Sequence, residues 1–140
     1  MTVGLLIITH DHIGEALLRT ATRMLRELPL KTRFLPVSID ANSEALKIQA
    51  HALAQQLNGG DGVLVFTDMY GSTPSNIAFS LMDPGSVHVI SGINLPMLIR
   101  TLNYAALDLE ALTKKAVSGG KMGIVCGTIM SEQSHPYVES

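Results

Sequence analysis

The sequence predicts an α/β domain in which a mostly parallel, doubly wound sheet carries helices on both of its faces. Apolar runs at residues 3–9 and 62–67 are continuous rather than alternating, as expected for strands buried on both faces. Such runs are followed by stretches with apolar residues at helical spacing, for example residues 13–28. The chain has 140 residues, 46% of them hydrophobic, which suits a single domain with a substantial core.

Strand and helix signals alternate along the whole predicted domain. Pro36 favours an edge position for the second strand, because proline lacks the amide that a central strand needs. Gly119 and Gly120 are expected to turn the chain into a short last strand. The predicted strands are residues 3–9, 32–39, 62–67, 87–90 and 122–126, and the predicted helices are residues 13–28, 43–57, 73–82, 96–104 and 107–117.

Right-handed crossovers between these strands favour the flavodoxin-like order 2-1-3-4, with the short fifth strand at an edge. We expect residues 1–130 to form the single domain and residues 131–140, which show no periodicity, to form a mobile tail. In such sheets ligands bind beyond the carboxyl ends of the strands, where the strand order reverses. Here that point lies between the first and third strands.

Composition excludes several classes of function. The net charge of −2 and the absence of a basic block argue against nucleic acid as a partner. Apolar runs are too short for membrane insertion, and the N-terminal residues lack a basic signal region, so a cytoplasmic location is expected. Cys126 is the single cysteine, which precludes an internal disulfide, and its apolar surroundings predict burial. No nucleotide-binding glycine motif occurs, and His10 and His12 lack a second ligand cluster, so neither a cofactor nor a metal is expected.

Two candidate catalytic residues follow the strands that flank the switch point. His10 follows the first strand and Asp68 follows the third, so the sheet brings them to the same edge. A carboxylate beside an imidazole accepts the proton of one ring nitrogen and leaves the other as a nucleophile. It also stabilises positive charge that develops on the ring. The alternative is that His10 is a polar residue beside a helix and Asp68 a turn former.

Two predicted helix starts at the same edge of the sheet favour the binding of an anion there. Thr73-Pro74 predicts an N-cap followed by proline at the first helical position, and Asn94-Leu95-Pro96 predicts a second helix start. Backbone amides at such starts attract negative charge, and the hydroxyls of Ser72 and Thr73 add further donors. Ordinary helix capping explains each of these features equally well.

Three stretches, in this order, resemble one known family. They are Ile7-Ile8-Thr9-His10, Asp68-Met69-Tyr70-Gly71-Ser72-Thr73-Pro74-Ser75-Asn76 and Ser91-Gly92-Ile93-Asn94-Leu95-Pro96-Met97-Leu98. The chain, over roughly residues 1–127, is similar to the mannose-class IIA domain of the bacterial phosphoenolpyruvate-dependent phosphotransferase system. The combination of the three motifs is specific to this family.

The resemblance implies that His10 takes a phosphoryl group from the phosphocarrier HPr and passes it to a IIB partner. It assigns to Asp68 the hydrogen bond to the ring nitrogen that is not phosphorylated, and it places Thr73, where serine is usual, near the phosphoryl group. Ser72, where glycine is common, and Thr9 are further candidates for stabilising this group. The family commonly forms dimers. Because no hinge or IIB domain follows the last predicted strand, we expect a separate IIB protein to be the acceptor.

Three functions other than a carrier in sugar transport remain open at this point. The protein could be a regulator that signals through the phosphorylation state of His10, the phosphotransfer subunit of a dihydroxyacetone kinase, or a small-molecule binding module without phosphate chemistry. The sequence does not name a sugar. We expect partners to contact an open surface, with Met69 and Tyr70 at its rim, because a carrier must expose its phosphorylated nitrogen to two proteins.

Overall fold

The computed structural model describes residues 2–130, so the tail predicted at residues 131–140 lies outside the described residues. Strands and helices alternate as expected up to β4, and three helices follow it. The elements are β1 Gly4–His10, α1 Ile13–Leu25, β2 Thr32–Val37, α2 Ser43–Leu57, β3 Val63–Thr67, α3 Thr73–Phe79, β4 Val87–Ser91, α4 Leu95–Asn103, α5 Leu109–Met122 and α6 Gly127–Met130. Within residues 2–130, no helix combines the length and hydropathy that a membrane span requires.

The sheet has four parallel strands in the order β2-β1-β3-β4, which confirms the predicted order. β1 and β3 are the central strands, and Ile8 of β1 pairs with Thr67 of β3 near their carboxyl ends. β2 lies at an edge, where Pro36 pairs with Thr9. This register brings the chain segments after β1 and β3 together.

The two central strands bury both of their faces, which explains their continuous apolar runs. Leu5, Ile7, Leu64 and Phe66 join the core layer formed with α1, α4 and α5. The alternate residues of the same strands, including Leu6, Ile8, Val63 and Val65, join a second layer with α2 and α3. The carboxyl ends of the central strands are therefore supported by packed helices on both faces of the sheet.

The predicted fifth strand is wrong. Helix α5 continues through Gly119 and Gly120 to Met122, and no residue of the range 122–126 is in a strand. The glycines serve close packing instead of a turn. A Cβ on Gly119 would lie 2.6 Å from Arg100 Cβ, and one on Gly120 would lie 2.8 Å from Met97 Cε. Their missing side chains therefore allow α5 to approach α4.

The burial predicted for Cys126 is also wrong, because the residue is exposed in the segment that follows α5. The apolar run around it, with Ile124 79% and Val125 36% exposed, does not enter the sheet. The expectation depended on this run being a strand, so both predictions fail for the same reason.

Candidate functional site

His10 and Asp68 meet at the carboxyl edge of the sheet. The Oδ2 atom of Asp68 accepts a hydrogen bond from the His10 ring at Nδ1, at 2.8 Å, and another from the His10 backbone N–H, at 3.1 Å. An ionised carboxylate has no proton to donate, so the proton of this ring bond belongs to Nδ1. The lone pair of the neutral ring is then on Nε2, which suits nucleophilic attack.

Burial and hydrogen bonding act on Asp68 in opposite directions. Burial of the carboxyl group raises its pKa, but the hydrogen bonds from the His10 ring, the His10 amide and its own amide outweigh this effect. The attraction to His10 adds to them, so the pKa of Asp68 lies below its ordinary value of 3.8. Asp68 is therefore a carboxylate at neutral pH. Its side chain is only 14% exposed, whereas that of His10 is 40% exposed.

Thr9 anchors the residue that carries the imidazole. Its buried hydroxyl accepts a hydrogen bond from Gly14 N–H, at 3.0 Å, and donates one to the His10 carbonyl, at 3.3 Å. A Cβ on Gly14 would lie 2.4 Å from Ile7 Cγ2, so glycine is required for this close approach of α1 to β1. Thr9, predicted to stabilise a phosphoryl group, thus lies beneath the exposed site and ties the strand end to α1.

The loop between Asp68 and α3 has a tight, internally bonded shape. Gly71 has φ = +87°, a left-handed conformation that favours glycine, and its N–H donates to Ser75 Oγ at 3.2 Å. Ser72, not Thr73, is the N-cap of α3: its hydroxyl accepts from Ser75 N–H at 3.4 Å and donates to the Met69 carbonyl at 2.6 Å. The predicted cap is displaced by one residue because the serine hydroxyl reaches back to the loop.

Thr73 occupies the first turn of α3 and is exposed. Within residues 2–130, neither Ser72 nor Thr73 is hydrogen-bonded to His10. The structure thus unites His10 and Asp68 directly, and it places these two hydroxyls in the loop that Asp68 begins.

The second predicted helix start is also present. Asn94 caps α4 by accepting from Met97 N–H at 2.8 Å, and its amide donates to the Gly120 carbonyl at 3.2 Å. The amides of Gly92 and Ile93 donate to the Thr67 carbonyl, at 2.9 and 3.1 Å. These bonds hold the loop after β4 against the end of β3, immediately before Asp68.

Exposed apolar side chains follow the strand ends around His10. Met69 and Tyr70 are 59% and 77% exposed, and the Tyr70 ring packs edge-on against Phe79 with centroids 5.5 Å apart. Ile13 and Ile39, which sequence reasoning missed, are 48% and 97% exposed. The sequence alone does not separate them from core residues, since Ile13 begins α1 and also falls on the apolar spacing of that helix. Met97, by contrast, belongs to the core.

His12 is bonded to a different residue and not to His10 or Asp68. Its Nδ1 is 2.9 Å from Glu15 Oε1, and its side chain is exposed. Among the residues that the structure describes, no three histidine, cysteine or acidic side chains are placed to hold a metal ion.

Comparison with known proteins supplies the family. The model of the EIIA-man family, described as the PTS system fructose IIA component, matches residues 4–117. The chain belongs to this family. The mannose-specific EIIAB component of the phosphotransferase system of Escherichia coli K12 is 32% identical over 127 residues. That match covers 89% of this chain but 39% of the relative, so the chain spans well under half of the curated relatives it matches.

Solved structures confirm the fold. The mannose/sorbose-specific IIA subunit from Enterococcus faecalis is similar with a TM-score of 0.78 at 20% identity, over 90% of this chain and 95% of that chain. The IIA protein associated with the fucose utilisation operon of Streptococcus pneumoniae also has a TM-score of 0.78, at 21% identity, over 93% and 96% of the two chains. The family predicted from the three sequence motifs is therefore confirmed, as is the α/β fold with the strand order 2-1-3-4.

Proposed function

We propose that this IIA component is a phosphoryl carrier in which His10 accepts the phosphoryl group of phospho-HPr and passes it to a IIB protein. The observation that carries the proposal is the 2.8 Å contact between His10 Nδ1 and the Asp68 carboxylate, which leaves Nε2 as the nucleophile. The 40% exposure of the His10 side chain supports transfer between proteins rather than reaction inside a closed pocket.

In the first step, the lone pair of His10 Nε2 attacks phosphorus and forms an N–P bond. The bond between phosphorus and the donor breaks, and its electron pair stays with the donor. The Nδ1 proton remains between the ring and Asp68, where the carboxylate offsets the positive charge that develops on the imidazole. In the second step the acceptor attacks phosphorus, and the N–P electron pair returns to Nε2.

The residues around the pair have separate tasks in this scheme. Thr73, exposed in the first turn of α3, supplies its hydroxyl toward the phosphoryl oxygens. The one O–H of Ser72 donates to the Met69 carbonyl, so Ser72 acts by shaping the loop beside the phosphoryl group. Thr9 positions His10 through the two hydrogen bonds of its buried hydroxyl. This scheme uses neither a cofactor nor a metal: positioning and charge stabilisation, the two main contributions to phosphoryl-transfer catalysis, come from the residues of the chain itself.

The exposed apolar residues Ile13, Ile39, Met69 and Tyr70 form the contact surface for the two partners. A small contact of this kind suits a transient complex, because each partner must leave after transfer. The protein works in the cytoplasm, beside a membrane transport complex, and forms a homodimer in this proposal.

The test is incubation with phosphoenolpyruvate, enzyme I and HPr, followed by mass spectrometry. We expect one phosphoryl group on His10, stable in base and labile in acid, and none in His10→Ala. Because His10 ends its strand and is partly exposed, this variant should keep its fold, which circular dichroism checks. Label that persists in His10→Ala would contradict the assignment.

Adding candidate acceptors separates the possible uses of the phosphoryl group. Transfer to a IIB protein supports the transport role. If His10 is phosphorylated but no IIB protein accepts the phosphoryl group, the regulatory role is favoured. Transfer to a dihydroxyacetone kinase subunit favours a role as the phosphotransfer subunit of that kinase.

A further inference from the structure

Half of the basic residues in the chain lie in a single stretch. Of ten lysines and arginines, five fall between residues 19 and 33, where Glu27 is the one acidic residue. The five basic residues, all exposed, are Arg19, Arg23, Arg26, Lys31 and Arg33. Because the whole chain has a net charge of −2, this density of positive charge is local.

Carboxylates do not neutralise these side chains within the described part of the chain. The ion pairs among the described residues involve His10, His12, Lys47 and Lys114. None of them involves one of the five basic residues in the range 19–33. Arg33 donates a hydrogen bond to the neutral amide of Gln56, at 3.2 Å. The guanidinium groups of Arg19 and Arg23 are thus available to an external anion.

The two arginines border a groove between α1 and the outer edge strand β2. The groove has a volume of about 340 Å³, and we define it as the arginine groove by Leu18, Arg19, Arg23, Leu28 and Phe34. Its apolar residues differ in exposure: Leu18 is buried, Phe34 is half-buried and Leu28 is 45% exposed. An apolar floor beside the two cations of α1 is therefore open to solvent.

We propose that the arginine groove binds an acidic, amphipathic segment of a partner protein. An apolar side chain of the partner covers Leu28 and Phe34, while two carboxylates on its α1-facing side form bidentate hydrogen bonds with Arg19 and Arg23, which are one helical turn apart. A groove of this volume holds one or two side chains. It suits a protein segment better than a lipid surface, which is flat, or a nucleic acid backbone, which offers no apolar group for the floor.

One end of the arginine groove lies near His10 in the chain. Glu15, in the first turn of α1, also lines it and is held 2.9 Å from His12, two residues after His10. A protein bound here lies next to the segment that carries His10 without covering the Asp68 loop. This binding goes beyond the proposed phosphoryl transfer and does not require it.

The test is a titration of isotopically labelled protein with two synthetic helical peptides, followed by nuclear magnetic resonance. One peptide has alternating glutamate and leucine faces, and the other has glutamine in place of each glutamate. We expect shifts confined to residues 15–34 with the acidic peptide, and affinity at least about tenfold lower for the glutamine peptide because the arginines then lose their charged partners.

Variants assign the contact to individual side chains. Arg19→Glu/Arg23→Glu should weaken binding at least about tenfold, whereas Lys114→Glu/Lys121→Glu, with the same change of charge on α5, should change it less than about twofold. Leu28→Ser should weaken it severalfold through the apolar floor. If the double glutamate variant does not fold, Arg19→Gln/Arg23→Gln takes its place.

The proposal fails on any of three results. These are no shifts at millimolar acidic peptide, equal losses in the α1 and α5 variants, or unchanged binding in Leu28→Ser. Phosphatidylglycerol vesicles or a DNA duplex that bind the same residues more tightly than the peptide would also overturn it. None of these measurements depends on phosphorylation of His10, so their failure is distinct from failure of the proposed function.

Discussion

Replacing Asp68 by asparagine removes a charge from the site with little change in shape. The side-chain oxygen of asparagine can still accept the hydrogen bond of the His10 amide, so the loop should keep its conformation. What is lost is the anion 2.8 Å from Nδ1, which selects the ring tautomer and offsets positive charge on the imidazole during transfer.

The size of the effect depends on solvent exposure at the pair. Loss of one positioned electrostatic partner costs about 10²- to 10³-fold in a closed active site. Here the imidazole is 40% exposed, and water screens part of the interaction. We therefore expect transfer to slow by about a hundredfold, which corresponds to about 2.7 kcal/mol in the activation barrier.

Rapid-quench measurement of transfer from radiolabelled phospho-HPr gives this rate directly. Asp11→Asn is the matched control, because Asp11 follows His10, is exposed, and has a positive φ of 43° that asparagine tolerates. It removes the same charge without touching the ring. A rate for Asp68→Asn within threefold of the wild type would refute the role of Asp68, and so would an equal loss in Asp11→Asn.

Three further predictions concern stability and assembly. Gly119→Ala places a Cβ 2.6 Å from Arg100 Cβ and should lower the free energy of unfolding, measured in urea, by about 1–3 kcal/mol. Gly59→Ala is the control, because a Cβ there meets open space and should not lower this free energy. Equal effects of the two substitutions would contradict the packing role of Gly119. Because the folded-state pKa of Asp68 is lowered, its contribution to stability is present above the ordinary value of 3.8 and is lost as the pH falls through the lower, folded-state pKa. The stability advantage of the wild type over Asp68→Asn in urea should therefore shrink below about pH 4, and an advantage that stays constant down to pH 2 would refute this. Sedimentation at micromolar concentration should show a dimer, and a single monomeric species would reject the dimer proposal.

Much of the fold could be predicted because its signals are local and strong. Continuous apolar runs identified β1 and β3 as strands buried on both faces, and the alternation with helices led to the order β2-β1-β3-β4. The pairing of His10 with Asp68 followed from this order alone, since parallel neighbours end at the same edge. Conversely, the exposed residues Ile13 and Ile39 were missed, because an apolar residue shortly after a strand carries no sign of which way its side chain faces.

The sequence by itself determined which strands are central and which residues leave their ends. Only the tertiary structure decided what Gly119 and Gly120 do, and whether the segment around Cys126 is a strand. A glycine pair is equally suited to a turn and to a close helix contact, and it is the position of Arg100 and Met97 on α4 that requires the contact. Thr9 likewise could have faced an anion, but the approach of Gly14 brings a backbone amide to its hydroxyl first. Periodicity and chain order specify where a segment belongs, whereas the partners of small and polar residues depend on distances that exist only after the layers pack.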